Sequence, residues 1–102
     1  MRFYSYVELS GVVLWGGAYK QSNGGYTHKY ILQVEERYNG NVKKFNFHII
    51  SFGEKSSKPS YKRGDLVKVE GSLKVNSYKD KADEWKNEVF IQASKIEEVE
   101  EK

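Results

Sequence analysis

A chain of 102 residues with a net charge of +3 can bury one hydrophobic core and is too short for two. It has no cysteine, which excludes disulfides, thiolate nucleophiles and zinc sites built on sulfur. Glu8 interrupts the N-terminal region, and its longest apolar run is Val12 to Trp15, far short of a signal sequence or a membrane span. A soluble, cytoplasmic protein with no membrane partner is therefore expected.

The chain then reads as a succession of strands. VELSGVVLWGGAYK (residues 7–20) is a long first strand interrupted by Gly11, and SNGG (residues 22–25) supplies a turn. YTHKYILQVEERY (residues 26–38) is the second, and Asn39-Gly40 after it is a hairpin signal that favours a type I′ turn. VKKFNFHIISF (residues 42–52) is the third. GEKSSKPSYKRGD (residues 53–65) holds the sole proline, Pro59, and has helical or turn character. LVKVEGSLKVNSY (residues 66–78) is the fourth strand. The charged loop KDKADEWK (residues 79–86) leads into the fifth, NEVFIQASKIEEV (residues 87–99).

Alternation assigns faces, because successive side chains of a strand point to opposite sides. In the fourth strand Val67, Val69, Leu73, Val75 and Ser77 form the expected core face, and Lys68, Glu70, Ser72, Lys74, Asn76 and Tyr78 the wet one. In the third, Lys44, Asn46, His48, Ile50 and Phe52 oppose Phe45, Phe47 and Ile49. Gly11 and Gly71, isolated within good strands, mark bulges or bends of the kind a small closed barrel needs. The expectation is an all-β fold, a five-stranded Greek-key OB-fold barrel with one short helix between strands 3 and 4. It would occupy residues 1–96, with a short acidic end at residues 97–102. A five-stranded SH3-like barrel competes, and loop placement favours the OB fold.

Eight Tyr, five Phe and two Trp are more than a small β core can hold, so some rings must face water. Charge is uneven as well. The final IEEVEEK carries −3, which leaves +6 on the preceding residues. A basic body with an acidic end suits a polyanionic partner, although a modest positive excess also aids solubility.

The run SYKRGDLVKVEGSLKVNSYKD (residues 60–80) resembles the bacterial single-stranded DNA-binding protein family, in which V-x-V-E-G-x-L leads to an aromatic and a charged loop. FHIISFGEK and VELSGVVL are similar to that family's third and first strands. The resemblance implies base-stacking aromatics at Phe52, Tyr78 and, more loosely, Tyr38. A further family aromatic would fall at Asn46, so that platform is absent or replaced by His48, Phe45 or Phe47. The resemblance implies a long Gly/Pro-rich tail with an acidic tip, and with EEVEEK as the last residues a tail-less member is expected. The resemblance also implies a homo-oligomer (dimer or tetramer), replication or recombination proteins as partners, and a bacterial, phage or plasmid origin.

Parity agrees independently, since Phe52 and Tyr78 both emerge beside lysines on wet faces. Single strands want this combination of flat rings for bases and cations along the backbone. Lys44 and Lys74 share those faces, and Lys43, Lys79 and Lys81 lie near their ends. Trp15, close to Gly16-Gly17, suits a barrel plug or a binding ring equally. Trp85 sits among Lys79, Lys81 and Lys86 as a stacking group or a lid. Tyr19 and Tyr26 flank the SNGG turn.

Enzyme readings fare badly. His28 and His48 lie on different strands without metal-ligand spacing, and Asp80, Asp83 and Glu84 alternate with lysines. No catalytic residue, metal or cofactor is expected. The function expected is single-stranded DNA binding with little sequence preference, in replication, repair or recombination. An RNA-binding OB protein and an OB protein-interaction module are the alternatives.

Overall fold

The computed structural model describes residues 5–99. Five strands, β1 (Val7–Lys20), β2 (Tyr26–Tyr38), β3 (Asn41–Glu54), β4 (Leu66–Lys79) and β5 (Trp85–Glu98), close into a barrel in the order β1-β2-β3-β5-β4. β1 closes it by changing partners. Its first half pairs antiparallel with β4 from Val7↔Gly71 to Val12↔Leu66, and its second half with β2 from Val12↔Gln33 to Lys20↔Tyr26. The β3–β5 seam is parallel and short, formed by Ile49↔Ile91 and Ile50↔Gln92. The strand order is that of the five-stranded Greek-key barrel.

Alternate residues of all five strands meet inside. Val13, Tyr30, Leu32, Ile49, Val67, Val69 and Ile91 form the buried core. Full burial of a side chain such as Leu32 is worth about 1.5–3 kcal/mol. Asn39 and Gly40 both take positive φ (47° and 79°), as a type I′ hairpin requires.

The short helix expected between strands 3 and 4 is not present; the segment between β3 and β4 is bends and a turn. Pro59 lacks the N–H that a helix interior needs, and the Ser56 hydroxyl accepts the Lys58 N–H locally (3.2 Å). The segment is pegged to the barrel by long-range bonds. Ser60 N donates to the Tyr30 hydroxyl (2.9 Å), His28 Nε2 meets Ser56 O (2.8 Å), and the Tyr61 hydroxyl donates to Ile96 O (2.9 Å). Gly64 N donates to Val13 O and Val13 N to Asp65 O, both at 2.9 Å.

A second correction concerns β4. Val67 and Val69 are core, but Leu73 and Val75 are 49% and 59% exposed, and Ser77 is exposed too. The alternation is intact; the barrel simply ends first. Beyond Gly71, β4 has no pairing with β1 and continues with β5 as a two-stranded ribbon. β2 and β3 likewise run past the end of β1 to Tyr38↔Asn41. Because β3 and β5 are parallel, both ribbons leave the barrel in the same general direction. The Cα radius of gyration, 15.3 Å, exceeds the roughly 13 Å of a compact domain this size for that reason. At the C-terminus β5 extends through Glu98 and Val99 N donates to Leu66 O (2.8 Å), while positions 100–102 of the expected acidic end lie outside the described residues.

Candidate nucleic-acid interface

Directly paired residues of a sheet present side chains on the same face, so the register maps the barrel's outer surface. One row runs Trp15–Ile31–His48 across β1, β2 and β3. The next runs Gly17–Lys29–Ile50–Gln92–Ser72 across all five strands. Lys74 and Phe90 are paired one step beyond Ser72 and Gln92 along the β4–β5 ribbon, followed by Asn76 and then Tyr78.

A bulge in β1 turns one aromatic ring onto this surface, and a second bulge, in β3, lies beside another. Val13 pairs with Leu32 and Trp15 with Ile31, leaving Leu14 as an extra residue in β1. Without it, Trp15 would share the core parity of Val13; with it, Val13 stays in and Trp15 turns out. The Trp15 ring lies over Gly17, where a Cβ would come within 2.6 Å of Trp15 Cη2. On β3 the register slips between His28↔Ser51 and Tyr26↔Glu54, and Gly53 there takes φ 73°. A left-handed glycine suits that bulge, and Phe52 emerges beside it.

Phe52 (49% exposed) and Tyr78 (46% exposed) are thus both open, with Lys74 between them. Phe52, Phe90, Lys29, Lys74, Asn76 and Gln92 line a groove of about 530 Å³. His48 and Lys44 are exposed on the same face of β3. Of the candidate replacements for the aromatic at Asn46, all on β3, Phe45 and Phe47 have the opposite parity and His48 shares its face. His48 is in one row with Trp15, two strands away.

The other sequence candidates stand apart from this face. Tyr38 and Trp85 are exposed near the tips of the two ribbons. Trp85 pairs with Lys79, on the Leu73–Val75 side of the β4–β5 ribbon and opposite Tyr78. Lys79 Nζ lies 5.4 Å from the Trp85 ring centroid, a cation–π contact. Its ammonium also pairs with Asp83 (3.4 Å), and Lys86 pairs with Glu84 (3.5 Å) and Asp80 (3.8 Å), so the tip is largely charge-balanced. Asp80 Oδ1 accepts the backbone N–H groups of Ala82 and Glu84 (2.9 and 3.0 Å), which makes this loop a capped turn. Lys81 is exposed in it. Lys29, Lys44, Lys74 and Lys81 form no ion pair among the described residues.

Lys29 and Phe90 escaped the strand-by-strand reading, because their facing depends on how β2 and β5 are registered against β3 and β4. Tyr19, read as a turn residue, is exposed with Lys29 Nζ 5.1 Å from its ring centroid. Beneath this face the support is polar and buried. The Tyr30 hydroxyl, receiving Ser60 N, lies 3.3 Å from His28 Nδ1, and burial pushes the Tyr30 phenol above its ordinary range against the opposing effect of the Ser60 bond. Among the described residues no group of three His, Asp or Glu is placed to hold a metal, and no helix is long and apolar enough to cross a membrane.

No protein-family model matches the chain, and no curated protein matches it in sequence. Solved structures do match in fold. A Plasmodium falciparum SSB, solved in complex with ssDNA, superposes with a TM-score of 0.82 at 16% identity, covering 98% of both chains. A small single-stranded DNA-binding protein from Streptomyces coelicolor gives 0.72 at 20% identity, covering 96% of both. Over nearly its whole length the chain is built on the same fold as these two single-stranded DNA-binding proteins.

Proposed function

We propose that the protein binds single-stranded DNA without strong sequence preference, stacking bases on Phe52 and Tyr78 and holding the backbone with lysines. The observation that carries this reading is the simultaneous exposure of those two rings with Lys74 between them on one outer face. Trp15 and His48 extend the platform across β1 and β3, and Lys29 and Lys44 extend its charge. Tyr38, Trp85, Lys79 and Lys81, near the ribbon tips, engage only a strand long enough to leave the barrel. A binding surface of this kind needs no catalytic group or cofactor, and its place is the coating of exposed strands in replication, repair or recombination. The fold shared with proteins that bind such strands supports the same conclusion.

A second surface favours protein contact. Leu73, Val75 and Val89 make an exposed apolar strip on the other side of the β4–β5 ribbon. An isolated two-stranded ribbon is marginal in water, and a second copy packed on this strip would support it. The functional test is quenching of tyrosine and tryptophan fluorescence by poly-dT at two salt concentrations. Stacking quenches and weakens with salt, whereas a pure interaction module does neither. Light scattering on the free protein tests self-association.

A further inference from the structure

The outer groove contains more than stacking requires. A platform for bases of any sequence needs rings and cations, and Phe52, Phe90, Lys29 and Lys74 supply both. Asn76 and Gln92 are additional. Their carboxamides are exposed, and neither has a side-chain hydrogen-bond partner among the described residues. Each presents a donor and an acceptor in one plane, the combination that matches the edge of a base. They enter from different strands. Gln92 is in the five-strand row between Ile50 and Ser72, and Asn76 lies two residues past Lys74 on β4.

Charge fits the same occupant. The groove is lined by two lysines and no carboxylate, although Glu88 is paired across the ribbon from Asn76, whereas the cavity beside Gly11 carries Glu35 and no cation. A polyanion is favoured here over the cavity beside Gly11. We propose that this groove holds one nucleotide of the bound strand, its ring against Phe52 or Phe90, and that Asn76 and Gln92 read the hydrogen-bonding edge of its base. The protein then carries a bias at one position within an otherwise sequence-tolerant footprint. This rests on the single-strand reading above and adds a discriminating contact to it.

The experiment compares dT, dC and dA homopolymers of equal length, titrated against the wild-type chain and against the Asn76→Leu/Gln92→Leu double variant. An Asn76→Ser/Gln92→Ser variant, which keeps the surface polar, guards against misfolding, and thermal melts accompany each protein. The wild type should spread its three affinities by roughly fivefold or more, the discrimination a good base-edge contact provides. Both variants should compress that spread to within about twofold while still binding. Homopolymers also differ in stacking strength and flexibility, so a spread that survives in folded variants overturns the inference. Tight binding of all three by the wild type with no spread overturns it too and leaves single-strand binding standing. Failure of all three to bind at low salt overturns both.

Discussion

Ser60 and Tyr30 are thirty residues apart, and the backbone N–H of one donates to the phenolic oxygen of the other at 2.9 Å. That bond, with His28 Nδ1 3.3 Å from the same hydroxyl, ties the β3–β4 connection to the barrel where the sequence led us to expect a helix. Removing the hydroxyl leaves a polar group in a part-buried setting without its partner. Tyr30→Phe should therefore cost about 1–3 kcal/mol, read as a lower denaturant midpoint with unchanged slope and far-UV spectrum. An undiminished midpoint would mean that water serves Ser60 equally well.

Burial raises the phenolic pKa of both Tyr30 and Tyr61 above the ordinary 10.0. The native state thus holds these protons more tightly than the unfolded chain does. The resulting stability is present in full below pH ~10 and is lost as pH rises from there through the folded-state values. Absorbance titration should show the tyrosinate signal of Tyr30 and Tyr61 appearing late and together with loss of structure. A single step complete before any structural change would contradict the buried assignment.

Strand identity was legible because the signals are local. Alternation, turn residues and Asn39-Gly40 placed all five strands within about two residues. Partner lengths are not local. The β4 pattern assigns Leu73 and Val75 to a core face, yet nothing within β4 reports that β1 stops pairing at Gly71. The facing of Trp15 is not local information either. The extra residue at Leu14 appears only when β1 is registered against β2, and that residue decides which side the ring occupies. Pro59 and its serines suit a tethered turn as well as a helix, and the tether, the Tyr30 hydroxyl, lies on another strand.

The division of the aromatics into one shared face and two tips predicts unequal effects. Alanine at Phe52 or Tyr78 should weaken poly-dT binding by about 1–3 kcal/mol each, the cost of one lost stacking surface. Trp85 is on the opposite side of its ribbon and already engaged with Lys79. Trp85→Ala should cost less than either on short oligonucleotides and approach them only on long ones. Equal losses at all three sites on a short strand would show that the path follows the ribbon tip.

Lysines without a carboxylate partner should release more counterions than paired ones. With about four phosphates neutralised, log affinity should fall against log salt with a slope near −3, at roughly −0.7 per contact for single strands. Lys74→Gln should flatten the slope by about one such increment. Lys86→Gln, at a residue already paired with Asp80 and Glu84, should change it by much less.

Gly17 and Gly71 are both tight, but against different neighbours, and this separates binding from stability. A Cβ at Gly71 would run into the main-chain carbonyl oxygen of Gln92, so one of two paired strands would have to move. Gly71→Ala should cost about 1–3 kcal/mol of stability, the usual result of forcing a packed backbone aside. A Cβ at Gly17 meets only the far end of the Trp15 indole, which can swing away into solvent. Gly17→Val should therefore melt close to the wild type, because valine also suits a strand better than glycine does. Its effect should appear in function. The displaced ring shifts tryptophan emission towards that of an exposed indole, and affinity for poly-dT falls by an amount comparable to Trp15→Ala. If Gly17→Val alters emission while binding is untouched, Trp15 is a cover for β1 and takes no part in holding the strand.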